Sequence, residues 1–450
     1  MKKFRILLLV LIILPCVVLF GGCSLFDAKV VIDIVETSEN IYTVKYSDGT
    51  TSIINANGED GEDLTLESIE EYCNTHGLDF YDFLAEHFGI DSLISSASAK
   101  AMKSAVSIIS EFTSISDTSV AGGAGVIYQM NDDYSYVITN YHVVYYRESI
   151  TSNKIANKIH LFQYGANQAY SKQNGSISYS DDAVSCQFIG GSMNYDIAVL
   201  RVKTDDLLAI NDEARPATIS KGYELAETAI AIGNPNIEGI SVTSGIISVV
   251  SEEISMKGAD EITNCEFRVL RIDTAINGGN SGGGLFNQYG DLIGIVNAKY
   301  IDEEIDNIAY ALPYDNITKV ADNLIYYYES TNTTSYVQKL YFDITVAAEN
   351  SKAEYIDNTV KITDQCIVHS VTDDRVGNKL GLTEGDIILG MTILRGDDSS
   401  SITFDREYEF RESLLTVRAG DSISIKLNRS GTIIDTPSYN VKASDLKPIS

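Results

Sequence analysis

Apolar residues fall first in one unbroken run, Ile6 to Phe20, and afterwards mostly in short segments whose spacing predicts strands. Val30 to Val35 alternates imperfectly and Ile41 to Tyr46 alternates well, and Ser47 to Thr50 then supplies hairpin chemistry. Helical spacing appears over 64–88, at Leu66, Ile69 and Tyr72 and again at Phe80, Phe83, Leu84 and Phe88, which predicts one or two amphipathic helices broken near Gly77. The runs that end at His142, that cover Ile197 to Val202 and that cover Leu292 to Ile295 predict strands. Helical spacing returns over Tyr314 to Glu329, with Ile317, Val320, Leu324 and Tyr327 on one face. The chain therefore reads as mainly β.

Polar stretches divide these segments. Asn55 to Asp63 is acidic but lacks the glycine and closing Glu of an EF-hand loop, so a solvated turn is expected. Asp91 to Ala105 is rich in Ser and Ala and reads as a linker, as does the polar run Ser330 to Ser335. Arg147 to Asp182, rich in Ser, Asn, Gln and Tyr, reads as an extended strand pair carrying an inserted surface loop. Loop insertions cost little, and a gating role for this one stays open. The resulting division is 1–22, 23–90, a linker over 91–104, 105–329, a second linker over 330–335, and 336–446.

A chain of 450 residues can bury two or three cores. Its formal net charge of −30 argues against nucleic acid or an anionic membrane surface as a direct ligand. A solvated, self-repelling surface accounts for that charge, and selection of basic clients is the alternative. Met1 to Arg5 is cationic and precedes the apolar run, which has the length of a secretory h-region. Gly21-Gly22-Cys23 follows at once and resembles a bacterial lipoprotein signal, although Phe20 stands where Leu is usual. On that reading Cys23 is lipidated and becomes the mature N-terminus; the alternative is an uncleaved transmembrane anchor. Both tether the protein outside the cytoplasm, at the outer face of the membrane. Cys73, Cys186, Cys265 and Cys366 are far apart and show no metal-ligand spacing, so no required disulfide, metal or cofactor is expected.

The chemistry is concentrated in Gly279-Asn280-Ser281-Gly282-Gly283-Gly284. A serine in a glycine-rich turn has an unshielded hydroxyl beside exposed backbone N–H groups, the arrangement acyl transfer requires. It needs a base, and the base needs a third group to fix its tautomer. His142 stands at a strand end and Asp196 immediately before a strand. The order His, Asp, Ser is that of the chymotrypsin architecture and not of subtilisins or α/β-hydrolases.

The segments around these residues, T-N-Y-H-V-V, Y-D-I-A-V-L and R-I-D-T-A-I-N-G-G-N-S-G-G-G-L, resemble the HtrA (DegP/Do-like) family of trypsin-fold serine proteases. The resemblance spans roughly residues 100–328. It implies a chymotrypsin-like double β-barrel in which Ser281 is the nucleophile, His142 the general base and Asp196 its orienting partner. The N–H groups of Gly279 and Ser281 would form the oxyanion hole, and Val296, Asn297 and Ala298 would pair with substrate backbone as an added strand. Ala275, six residues before the serine, would floor the primary specificity pocket. Lacking a carboxylate there, the pocket would favour small or medium apolar residues over Lys or Arg. The sequence departs from the family at Gly278, commonly Pro, and at Gly284, commonly Pro or Ala; the added glycine makes the turn less pre-organised.

Downstream, Gly377 to Leu389 and Leu414 to Lys426 resemble a PDZ domain of the HtrA type, which captures the C-terminal end of a peptide. Its carboxylate loop would be Tyr341, Phe342, Asp343 and Ile344, with Asp343 in place of the usual Gly. The first module, a β-hairpin plus helix, resembles the heads of Gram-positive surface lipoproteins; spacer and wall-binding roles stay open. The resemblance as a whole implies an ATP-independent endopeptidase acting on unfolded exported proteins, and a homotrimer. Two other readings stand beside it: a regulatory protease for one membrane partner, and a low-turnover chaperone or scaffold.

Overall fold

The computed structural model describes the strands β1 (Val31–Ser38), β2 (Ile41–Tyr46) and β3 (Thr51–Asn55), and residues 90–449 except 116, 174–175, 298–307 and 357–358. The expected signal and lipidation segment with Cys23, Cys73, the acidic run over 55–63 and the helices over 64–88 lie outside the described residues. The first unit forms an antiparallel sheet in the order β1-β2-β3, one strand more than the two anticipated.

The remaining described residues, a second compact unit, begin with helix α1 (Ile90–Met102), where a linker was expected. Ser and Ala suggest a linker only while no packing partner is in view. Here Ala97 and Ala101 are buried against the barrels, and Lys100 bonds Asp291 at 2.8 Å. Six strands follow that close into a barrel: β4 (Ala105–Thr113), β5 (Thr118–Met130), β6 (Tyr134–Thr139), β7 (Lys158–Gln163), β10 (Val184–Ser192) and β11 (Ile197–Lys203). The inserted segment contributes β7 to this barrel and a separate polar hairpin, β8 (Tyr170–Gln173) and β9 (Ser176–Tyr179). The barrel is filled by Ile108, Ile127, Val137, Leu161 and Leu200, all fully buried.

A second closed barrel comprises β12 (Thr228–Gly233), β13 (Ser241–Lys257), β14 (Asn264–Ile272), β15 (Gly284–Phe286), β16 (Leu292–Asn297) and β17 (Ala309–Pro313). Helix α2 (Tyr314–Thr331) leaves it and packs Ile317, Val320 and Leu324 into a core shared with both barrels. The helix therefore occupies part of the expected 330–335 linker. Ser335, also placed there, is buried and donates to the carbonyls of Leu324 and Ile189.

A third β unit begins with β18 (Val337–Leu340), β19 (Ile344–Ile356), β20 (Thr359–Val371), β21 (Ile387–Arg395) and β22 (Asp398–Thr403). Helix α3 (Glu407–Ser413), β23 (Ser422–Arg429), β24 (Thr432–Asp435), β25 (Tyr439–Asn440) and β26 (Leu446–Ile449) complete it. The main sheet runs β19-β20-β21-β23-β24, which leaves β19 as an edge, while β26 pairs back onto β18.

The third unit is bonded to the second barrel through buried charges. Arg268 of β14 donates to Glu412 of α3 at 2.6 and 3.0 Å, to Asp315 of α2 at 2.6 Å and to the Tyr223 hydroxyl at 2.9 Å. Burial alone would raise the Glu412 carboxyl, but the Arg268 guanidinium outweighs it and holds the carboxyl below the usual range. Nearby, Asn323 of α2 donates to the carbonyls of Gln338 and Leu415, and the Leu415 side chain sits in the core beneath the barrels.

Replacing Arg268 by Met leaves Glu412 buried with only Lys319 and Asn316 as partners. The expected loss is about 3 kcal/mol at neutral pH, measured by urea denaturation. Because the Glu412 carboxyl is depressed in the folded state, the stability it contributes is present above about pH 4.3, the ordinary Glu value. That contribution fades as pH falls through the folded value. The gap between wild type and Arg268→Met should therefore narrow below about pH 4.

Candidate active site

His142 and Asp196 are bonded in the first barrel, and the turn that carries Ser281, from the second, meets them at the seam, where Gly282 lies against Thr139 and Asn140. His142 lies in a single helical turn, Tyr141–Val144, directly after β6, and Asp196 lies in the turn just before β11. Strand pairing of β6 with β11 puts Thr139 opposite Ala198, so the ends that carry His142 and Asp196 are adjacent.

Asp196 is held at both its side chain and its backbone. Its carboxylate accepts the His142 backbone N–H at 3.0 Å and the ring Nδ1–H at 2.7 Å. Its carbonyl accepts the Tyr141 N–H at 3.1 Å and the Asn140 side-chain amide at 3.0 Å. The residue takes a left-handed conformation, φ 49°, which Asp tolerates better than most residues. A proton on Nδ1 leaves the Nε2 lone pair of neutral His142 available to accept a hydroxyl proton. The His142 ring is partly exposed, whereas Asp196 is buried.

A third donor to the carboxylate comes from the second barrel. Asn297, at the end of β16 and buried, donates its side-chain amide to Asp196 Oδ2 at 3.1 Å. The sequence pattern places Asn297 against substrate backbone and gives Asn140 no role, although both lie inside the segments it singles out. A buried amide beside a strand end is the only signal that could have marked them.

The serine turn is fixed through its backbone. Ser281 gives its carbonyl to the Ala124 N–H at 2.8 Å, Gly282 donates to Val296 at 3.0 Å, and Val296 donates to Gly283 at 2.8 Å. Gly279 has φ 100°, a conformation open to glycine, and its carbonyl accepts the Asn234 N–H. Among the described residues, the N–H groups of Gly279 and Ser281 have no protein acceptor, and Ser281 Oγ makes no hydrogen bond to His142. Gly284 opens β15, and a Cβ there would run into the Phe286 ring and press on Val126. That contact accounts for glycine where Pro or Ala is commoner.

Two expected substrate contacts are corrected. Val296 lies within β16 and not beyond it, and both its backbone groups are taken by the serine turn, so it offers no free edge. Ala275 is exposed, its carbonyl accepting the Thr243 hydroxyl at 2.9 Å, so it does not floor a pocket. The backbone of Asn297 pairs in register with Tyr310 of β17, and Ala298 lies outside the described residues.

In the third unit Phe342 is buried, Tyr341 is exposed and Ile344 opens the edge strand β19. Asp343 has φ 55°, the backbone conformation glycine would adopt there. Its carboxylate faces Arg375 at 3.9 Å and Lys447 at 4.0 Å. Of the described cysteines, Cys186 and Cys366 are free thiols, and burial pushes both well above the usual thiol range. Among the described residues, no group of three or more His, Cys, Asp or Glu side chains is gathered closely enough to hold a metal ion.

Residues 123–295, which contain all three of these side chains, match the trypsin-like peptidase domain family. The chain is 26% identical over 323 residues to the serine protease Do-like HtrA of Bacillus subtilis, covering 70% of this chain and 62% of that protein. It is 28% identical over 320 residues to a serine protease HtrA-like of Staphylococcus haemolyticus, covering 69% of this chain and 43% of the relative. It thus spans roughly half of the length of the curated relatives it matches. Among solved structures, the HtrA-type protease AlgW with tripeptide is 23% identical, with a TM-score of 0.47 and coverage of 79% of this chain and 97% of that one. The chain thus carries a trypsin-like peptidase domain and is similar to serine proteases of the HtrA (Do-like) type.

Proposed function

We propose that the protein is an exported, membrane-tethered, ATP-independent serine endopeptidase that cuts unfolded or damaged proteins. The observation that carries this reading is the 2.7 Å bond from His142 to Asp196 at the seam where the serine turn closes. Ser281 attacks the scissile carbonyl, His142 takes its proton and returns it to the leaving amine, and Asp196 stabilises the imidazolium. The N–H groups of Gly279 and Ser281 receive the developing oxyanion. Asn297 acts through Asp196 as a positioning residue, steadying the carboxylate as the ring charges. An extended substrate suits such a site because strand addition needs backbone that folded proteins rarely offer. The lipid anchor at Cys23 and a homotrimer belong to this proposal, as does a PDZ-like role for the third unit. For that role the open edge of β19 beside α3 supplies the place where a peptide terminus could add as a strand.

The preference for small or medium apolar residues is kept on different grounds from Ala275. The segment before the serine offers the half-buried Ile276, an apolar contact for a small or medium apolar side chain.

The soluble Asp27–Ser450 fragment should degrade casein and take a fluorophosphonate label, and Ser281→Ala should abolish both. Label without turnover would favour the scaffold reading; cleavage of one native membrane protein but no denatured client would favour the regulatory one. Peptides ending in Val should be cut faster than those ending in Arg, and the reverse order would reject the specificity assignment. Asn297→Ala removes one bond to a charged group, about 1.5–3 kcal/mol. That loss predicts a fall in kcat of roughly tenfold to a hundredfold with little change in KM. Asn297→Asp would bring a second negative charge to Asp196 and should not restore the rate.

A further inference from the structure

The inserted segment after β7 grips the protein at three places. Tyr179 of β9 stacks on His160 at 3.9 Å and donates to the buried Glu111 at 3.2 Å, which seats the hairpin on the outer face of the first barrel. Lys172 of β8 pairs with Asp117 at 2.7 Å, just before β5. The third grip is at the hairpin base, which Asn167 closes by donating its N–H to Asp182 at 2.7 Å. There the Gln168 side-chain amide donates to the Ile237 carbonyl at 3.3 Å.

Ile237 ends a short turn of the second barrel, Pro235–Ile237, between β12 and β13. Its φ of 61° lies in the left-handed region, which a β-branched residue rarely enters. Such strain persists only where the surroundings over-determine it, and it gathers at working sites. Two neighbours hold it here: Gly122 of β5, where a Cβ would run into the Ile237 side chain, and the Gln168 amide on the Ile237 carbonyl. The same turn holds the serine segment. Asn234, fully buried, accepts the Ile237 N–H on its carbonyl at 3.3 Å and donates its own N–H to the Gly279 carbonyl at 3.2 Å. Its side chain donates to Gly123 at 3.4 Å and accepts the Gly239 N–H at 2.9 Å. Gly279 needs such an anchor because it follows another glycine. A Cβ at Gly278 would meet nothing within 4 Å, so packing does not restrict the backbone there.

We infer that Gln168 and Ile237 are positioning residues for the oxyanion hole. The inserted segment holds a strained turn in place, and that turn, through Asn234, steadies Gly279, whose N–H receives the oxyanion. The kinetic consequence rests on the endopeptidase reading; the mechanical link from hairpin base to serine turn does not. A merely decorative loop would leave the serine turn indifferent to what happens at Gln168.

The full-length chain in detergent is assayed on a peptide p-nitroanilide ending in Val, and hydrogen exchange over residues 277–283 is followed by mass spectrometry. Gln168→Glu keeps the shape and sets a carboxylate oxygen against the Ile237 carbonyl. Its kcat should fall roughly threefold to tenfold, the worth of one hydrogen bond. KM and the melting temperature should stay as they are, while exchange over 277–283 quickens. Gln168→Lys, which keeps a donor, should recover most of the rate. Gln173→Glu, the same change at an exposed site near the hairpin tip, should alter nothing. In an Ile237→Gly background the effect of Gln168→Glu should disappear, because both act along one path. Unchanged kcat and exchange in Gln168→Glu, equal losses in Gln173→Glu, or additive losses in the double variant would each overturn the assignment. Should the wild-type chain cleave nothing, the endopeptidase reading fails alone, and exchange over 277–283 still decides this one.

Discussion

Chemistry divided between two barrels depends on holding those barrels still. The grip on Asp196 is the point where this is achieved. Donors from the first barrel, at Asn140, Tyr141 and His142, fix its backbone and carboxylate, and Asn297 reaches the same carboxylate from the second. The serine turn is joined across the seam in the other direction, through the Ser281 carbonyl and the Ala124 N–H. A displacement of one barrel against the other would break several of these bonds together. Helix α2 reinforces the arrangement from below, since its apolar face belongs to a core shared by both barrels. The site is therefore a property of the seam and not of either barrel by itself.

What could be seen in the sequence was local. The strand before His142, the strand after Asp196 and the glycine-rich turn announce themselves because their residue types answer to short-range demands: apolar pairing, a sharp turn, a hydroxyl left bare. Their order along the sequence was enough to name the architecture. What could not be seen was set by distant contacts. Ser and Ala over 91–104 look like a linker until two alanines meet the barrel wall. The polar stretch after α2 looks loose until Ser335 finds the carbonyls of Ile189 and Leu324. Val296 looks like a free edge until the serine turn claims both its backbone groups, and counting six residues back from the serine cannot tell that Ala275 faces solvent.

Two of the three departures from the HtrA pattern, Gly284 and Asp343, have different physical origins. Gly284 answers to the Phe286 ring, a packing demand within three residues. Asp343 keeps the left-handed backbone that glycine would supply, and its charge lies near Arg375 and Lys447. Neither alters the catalytic cluster itself.

The Arg268 network gives the third unit a particular mechanical standing. A module tethered by a flexible strap can swing free and return, and its messages travel by docking and release. This one shares core residues with the barrels and has buried ions locked across the junction, so swinging away would strand Glu412 and Arg268 in each other's absence. Any influence it exerts on the cleft must pass as small shear along α2 and β14, a stiff lever and not a hinged door.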